Sequence, residues 1–223
     1  MPTLTVVPTP VGNLQDITLR AIETLKNATL ILAEDTRTTG FLLKHLGISC
    51  PMLSYHKFNE HSRVTQLIDR ITNEPATVLV SDAGTPGISD PGTILVKACI
   101  EAGITVSCLP GPTAFVPALV MSGFATDRFC FEGFLPHKKG RQTKLLQLQD
   151  EERTIILYES PHRIVKTLEQ ILEFIGNRNV AIVREISKIY EEAIRGDVMS
   201  VIQHCKQKPL KGEIVLILEG NTK

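Results

Sequence analysis

The sequence predicts an α/β protein made of two α/β domains, the first with a largely parallel sheet and the second with a mixed one. Three observations carry that expectation. In the first half, short runs of apolar and β-branched residues alternate with segments whose apolar positions recur at helical spacing. Pro110-Gly-Pro112 then breaks the alternation. Beyond it the apolar runs lie closer together, as in a mixed rather than a purely parallel sheet. The boundary falls around residues 112 to 115, giving domains 1–112 and 113–223.

Taken in order, the strands expected in the first half are Leu4 to Val7, Leu30 to Ala33, Met52 to Tyr55, Thr77 to Val80 and Thr105 to Leu109. Helices are expected between them over Leu19 to Leu25, Thr38 to Leu46, Glu60 to Ile71 and Thr93 to Glu101. A βα alternation of this kind implies parallel strands covered by helices on both faces. Gly47 and Gly103 follow two of these helices, where glycine commonly ends a helix. After an apolar, small-residue stretch from Thr113 to Met121, the second half offers a strand over Phe129 to Phe134 and a basic helix near Lys138 to Leu148. Strand Thr154 to Tyr158, helix Ile164 to Phe174, and strands Val180 to Val183 and Ile214 to Leu218 complete it.

Composition bounds the chemistry. Lys plus Arg and Asp plus Glu are 24 each among 223 residues, so no global field draws the chain to nucleic acid or membrane, and a polyanion must be held by a local patch. Trp is absent and Tyr occurs three times, which argues against a broad stacking platform for single strands. The five cysteines show no C-x-x-C pair, so reduced thiols are expected and no metal site. Neither a basic leader nor an apolar run of spanning length is evident, and a cytoplasmic protein is expected.

The most informative segment is Val80-Ser-Asp-Ala-Gly-Thr-Pro-Gly-Ile-Ser-Asp-Pro-Gly92, a loop between a strand and a helix. Its glycines let backbone approach a ligand closely, and its prolines set the loop shape in advance. Asp82 stands at the carboxyl end of the strand, where open α/β sheets bind ligands. Thr9-Pro-Val-Gly-Asn13 and Pro110-Gly-Pro-Thr-Ala114 also follow strands and belong on the same edge. Neither the dinucleotide G-x-G-x-x-G nor the phosphate-cradling G-x-x-x-x-G-K-[ST] is present, so a small ligand held by backbone fits better than a polyphosphate. Ala33-Glu-Asp-Thr-Arg37 places two carboxylates and an arginine after the second strand; capping of a helix by Asp35 or Thr36 is the plainer alternative. His56, Asn59 and Glu60 add polar groups after the third strand. In the second half Tyr158-Glu-Ser-Pro-His-Arg163 reads in part as helix initiation, with Ser160 as cap and Pro161 in the first turn. Glu159 and Arg163 lie outside that role. The run His137-Lys-Lys-Gly-Arg-Gln-Thr-Lys144 reads as a solvated face or as a bed for a phosphate backbone, with Lys138, Lys139, Arg141 and Lys144 as its cations.

Together these motifs resemble the tetrapyrrole methylase superfamily, and within it the ribosomal RNA small-subunit methyltransferase I family. The resemblance rests on Thr9-Pro-Val-Gly-Asn-Leu-Gln-Asp-Ile-Thr18, Ala33-Glu-Asp-Thr-Arg37, the Ser81 to Gly92 loop, Pro110-Gly-Pro-Thr-Ala114 and Tyr158-Glu-Ser-Pro-His-Arg163. It implies S-adenosylmethionine as methyl donor, bound in a cleft between the two domains, without a metal. The implied reaction is 2′-O-methylation of a cytidine ribose in 16S ribosomal RNA. By the same resemblance Ser81, Asp82 and Thr85 match the donor loop, Thr113 and Ala114 its second contact, and Pro10 and Gly12 its first loop. Glu159 and Gly212 close the pocket from the second domain. Many members continue into a small C-terminal domain, whereas this sequence stops at Lys223. A homodimer is implied as well.

For such a transfer the donor carbon is already electrophilic, and the protein must align the hydroxyl and take its proton. Glu34 and Asp35 are the candidate bases, with Arg37 orienting one of them or gripping a phosphate. A porphyrinoid methyltransferase is the alternative within the reaction class. A non-catalytic S-adenosylmethionine-binding module of the ribosome is the alternative outside it, and the paired carboxylates of Glu34 and Asp35 weigh against that reading.

Overall fold

A computed structural model describes residues 2–221, apart from the side chain of Ser62. The chain divides into two compact units, Met1–Thr113 and Ala114–Lys223.

The first unit is a three-layer α/β sandwich. Its elements are β1 (Thr3–Val6), α1 (Leu19–Lys26), β2 (Leu30–Ala33), α2 (Thr36–His45), β3 (Met52–Ser54), α3 (Glu60–Thr72), β4 (Thr77–Val80), α4 (Thr93–Glu101) and β5 (Thr105–Cys108). The sheet order is β3-β2-β4-β1-β5, and every pair is parallel. Residues of one strand alternate between two cores, as the pleat requires. Leu4, Val6, Leu30, Leu32 and Leu79 pack with Leu67, Ile71, Leu95 and Cys99 of α3 and α4. Ile31, Ala33, Val78 and Val80 pack with Ala21, Leu25 and Leu43 of α1 and α2. Strands buried on both faces explain the unbroken apolar runs seen in the sequence.

One helix start in this unit differs from expectation. Helix α2 begins at Thr36 rather than Thr38, because the Asp35 side chain accepts from the backbone N–H of Arg37 and caps it. Between β1 and α1 a short 3-10 turn, Leu14–Asp16, is capped by Asn13.

The second unit contains α5 (Phe115–Ser122), β6 (Phe129–Phe134), α6 (Arg141–Gln147), β7 (Thr154–Glu159), α7 (Ile164–Phe174), β8 (Asn179–Arg184), β9 (Glu192–Asp197), α8 (Val198–Gln207) and β10 (Ile214–Leu218). Its sheet, ordered β6-β7-β10-β8-β9, is mixed: β6 and β7 run parallel and the other pairs antiparallel. Helices α6, α7 and α8 cover one face through Leu145, Leu168, Ile171, Val201 and Cys205, and α5 packs against β8, β9 and β10. The basic helix is shorter than expected. Gly140 takes φ +83°, so His137 to Gly140 form a turn and α6 starts only at Arg141. Helix α7 spans Ile164–Phe174 as expected, but Ser160 is not its cap residue. Ser160 organises the turn before it, its hydroxyl accepting from the N–H of His162 and its carbonyl from Arg163 and Ile164.

Candidate active site

In the first unit, the loop after β2 leads outward to β3 while the loop after β4 leads the other way, to β5. Chain direction across the sheet therefore reverses between two adjacent strands, and a crevice opens at their carboxyl ends. Glu34 and Asp35 stand on one side of it and Asp82 on the other. The two loops are tied together: the Asp35 N–H donates to Asp82 Oδ1 at 3.0 Å, and the Asp82 N–H points to Glu34 Oε2 at 3.5 Å.

The three glycine- and proline-bearing loops expected on one edge do meet there. Thr9 and Gly84 exchange both backbone hydrogen bonds, each 2.9 Å, in an isolated antiparallel bridge. The Thr9 hydroxyl donates to the Ser81 carbonyl, 3.0 Å. Thr85 joins the fourth-strand loop to the fifth, its hydroxyl 2.6 Å from that of Thr113 and 3.0 Å from the Pro112 carbonyl. Gly92 closes the loop at φ +147°, and a Cβ there would stand 3.2 Å from both the Gly87 nitrogen and Leu79 Cδ2. Ser81 is buried and spends its hydroxyl on the carbonyls of Ala83 and Gly84, which makes it a shaper of the loop. Pro10 is half-buried, Gly12 is exposed, and Ala114 opens the turn into α5.

Electrostatics separate the carboxylates. Arg37 grips Asp35 through Nε and Nη2, with a shortest contact of 2.5 Å, and these hydrogen bonds hold the Asp35 pKa down at about 2. Asp35 thus caps a helix and carries a fixed charge. Glu34 is different: burial raises its pKa, and repulsion from Asp82 adds to the effect. Burial also raises Asp82. The third member of this group was not singled out from sequence. Asp90, at the far end of the same loop, is pushed up to about 7 by burial and by the charges of Glu34 and Asp82. Its signal was the second aspartate of a loop that must fold back on itself between Gly87 and Gly92. Three carboxyl groups with raised pKa in one crevice create an excess of negative charge that a cationic ligand relieves, and a carboxylate of raised pKa is the better proton acceptor.

In the second unit the expected site residues have other occupations. Glu159 is buried, and both its oxygens are taken. Oε1 accepts from the Ser160 N–H at 2.8 Å and meets Arg163 at 2.7 Å; Oε2 accepts from the Thr167 hydroxyl at 2.5 Å and lies 3.6 Å from Arg141. That answers for the two residues left over by helix initiation. Arg141 corrects the phosphate-binding expectation. Only 7% of it is exposed, and its guanidinium donates to Gln170, Thr167 and the Pro136 carbonyl. Lys144 is paired with Glu132 at 2.6 Å, the residue that β6 bulges out between Phe131 and Gly133. Lys138 and Lys139 are exposed. Gly212 takes φ +83°, which favours glycine, and its Cα faces the Glu185 carboxylate, 2.2 Å from where a Cβ would stand.

Among the described residues no group of three or more His, Cys, Asp or Glu side chains is placed to hold a metal ion. No helix among them is long and apolar enough to cross a membrane.

Comparison with known proteins places this geometry. A family model for tetrapyrrole (corrin/porphyrin) methylases matches residues 3–201. The fold is similar to that of the methyltransferase CobJ, with TM-score 0.74 and 18% identity over 99% of this chain and 95% of that one. It is also similar to uroporphyrin-III C-methyl transferase from Thermus thermophilus complexed with S-adenosyl homocysteine, with TM-score 0.68 and 19% identity over 97% of each chain. In sequence the chain is 50% identical to the ribosomal RNA small subunit methyltransferase I of Synechocystis sp., covering 98% of this chain and 79% of that protein. It is 46% identical to the protein of the same name from Thermotoga maritima, covering 97% and 98%. The chain belongs to the tetrapyrrole methylases and, within them, to the ribosomal RNA small subunit methyltransferase I family; it is a methyltransferase.

Proposed function

We propose that this protein transfers a methyl group from S-adenosylmethionine to the ribose 2′-hydroxyl of a cytidine in 16S ribosomal RNA. The observation that carries the reading is the crevice of Glu34, Asp82 and Asp90, lined by tied backbone loops, in a chain 46% to 50% identical to relatives named for small-subunit RNA. The uroporphyrin-III enzyme, a structural relative bound to S-adenosyl homocysteine, is 19% identical.

In this reading the donor lies on the loops of Pro10 and Gly12, of Ser81 to Thr85, and of Thr113 and Ala114. The sulfonium and amino charges of the donor face Asp82 and Asp90, where excess negative charge favours them. The ribose oxygen attacks the methyl carbon in line as the carbon–sulfur bond breaks, and S-adenosylhomocysteine leaves neutral at sulfur. Glu34 takes the hydroxyl proton, because Asp35 is already committed to Arg37. The first unit then supplies the substrate side and most of the donor bed, and Gly212 and Glu159 act by shaping the second unit. A homodimer in the bacterial cytoplasm, as the family resemblance implies, belongs to the same reading.

The test uses S-adenosylmethionine labelled in the methyl group and small ribosomal subunits lacking the modification. Label is expected in RNA, at one cytidine whose 3′ linkage resists alkali because its 2′-oxygen is blocked. Label on a base, label in uroporphyrinogen instead of RNA, or no transfer overturns the reading.

A further inference from the structure

Within the first unit, the loop from β3 to α3 presents an aromatic ring beside the carboxylate crevice. Tyr55 donates its N–H to the Ala33 carbonyl, so His56 to Glu60 continue alongside Glu34, and the His56 ring is close enough to act on the Glu34 charge. Asn59 locks the loop. Its Oδ1 accepts from the His56 N–H at 2.8 Å, its Nδ2 donates to the Ser54 carbonyl at 3.3 Å, and its own N–H returns to the His56 carbonyl at 2.9 Å. The tip of this locked turn is Lys57-Phe58. Phe58 is 94% exposed, although its ring is steadied edge-on by His56 at 6.1 Å between centroids.

Exposed cations flank that tip in the chain. Lys57 and Arg63 are exposed, Arg37 follows the neighbouring strand β2 with 89% of its side chain in solvent, and Glu60 is the only acid from residue 56 to 63. A groove of about 460 Å³ follows the open edge of β3, lined by Leu53, Arg63, Gln66, Leu67, Asp69, Arg70 and Asn73, with Arg70 paired to Glu74 at 2.8 Å. An exposed ring on a pre-ordered turn, flanked by Lys57 and Arg63 and continuous with a groove along the sheet edge, matches the chemistry of an unpaired nucleic-acid strand. Bases stack on aromatic faces while the backbone follows positive charge.

We propose that Phe58 is the stacking platform for an unpaired RNA base flanking the methylated ribose, with Lys57 and Arg37 holding the adjoining phosphates. This deepens the function proposed above and rests on it. It moves the main RNA contact from the Lys138 run to the edge of the methyl-transfer crevice.

The sequence contains no tryptophan, so Phe58→Trp introduces a single indole at the tip. On titration with unmodified small subunits, its fluorescence should be quenched as the ring stacks on a base; an unquenched indole at saturating subunits overturns the stacking. Phe58→Ala should raise KM for subunits by about 5- to 150-fold, the range for loss of one stacked base, while calorimetric affinity for S-adenosylmethionine is unchanged. Unaltered KM in Phe58→Ala, with wild-type activity on RNA intact, overturns the platform and leaves the methyltransferase reading standing. If wild-type protein fails to label RNA at all, the functional reading itself falls. A shift of Phe58→Ala from dimer to monomer in sedimentation velocity, with KM unchanged, assigns the ring to a second copy and also overturns the inference.

Discussion

At the scale of single residues, neighbouring carboxylates in one sequence motif have opposite chemistry. Asp35 is bound by Arg37 and caps α2, while Glu34 turns into the crevice, where burial lifts its pKa. Glu34→Gln is accordingly expected to slow single-turnover methyl transfer by about 10²-fold or more, the range for loss of a general base, with donor affinity retained. Asp35→Asn should lower the thermal midpoint slightly and leave most of the rate. Equal loss of rate in the two variants contradicts this division of labour. Asp90 adds a pH signature. Its folded pKa, about 7, exceeds the ordinary 3.8, so between those values the folded chain holds a proton that the unfolded chain releases. Stability therefore falls as pH rises from about 4 to 7 through this group. Asp90→Asn should be more stable than wild type at pH 8, with the difference vanishing toward pH 4. Denaturant melts at several pH values check it, and a constant difference refutes it.

At the scale of elements, the second unit is braced where α6, α7 and β7 meet. Glu159 at the end of β7 holds Arg163 ahead of α7, Thr167 within it, and Arg141 at the start of α6. Removing one partner from such a buried cluster strands the others in low dielectric. Arg141→Ala is expected to destabilise the protein by roughly 3 kcal/mol, within the range for a broken buried pair, with no change in the salt dependence of RNA binding. Calorimetric melting and binding titrations at several salt concentrations separate the two effects. A milder melt with a flattened salt slope returns Arg141 to the RNA surface.

At the scale of the whole molecule, equal numbers of acids and bases leave RNA to be gripped by local clusters. Lys138 and Lys139 remain exposed for that task on the second unit, and Arg37, Lys57 and Arg63 on the first. Each phosphate contact contributes about 0.7 to 0.9 to the log–log salt slope. Replacing Lys138 and Lys139 together by Gln should thus lower the slope by less than 2, and replacing Lys57 with Arg37 should lower it further by a similar amount. Slopes from filter binding at 50 to 200 mM salt decide between the clusters; if only the Lys138 and Lys139 pair matters, the RNA runs along the second unit alone.

What the sequence determined by itself was local. The central strands β2 and β4 were legible because burial on both faces leaves continuous apolar runs, and helices with one buried face leave a 3.6-residue period. The meeting of the three loops at one edge followed from parallel pairing. Other elements hid. Helix α5, Phe-Val-Pro-Ala-Leu-Val-Met-Ser, is apolar nearly all round and carries Pro117 in its first turn, so it shows no amphipathic period. Strand β9, Glu-Ala-Ile-Arg-Gly-Asp, lies at the sheet edge with little burial to impose alternation. Only tertiary structure decided that Arg141 turns inward, that Arg37 claims Asp35 and spares Glu34, and that Asp90 returns to the crevice. Each depends on which side chain a folded neighbour places within a few ångströms, and distance in the chain carries no record of that.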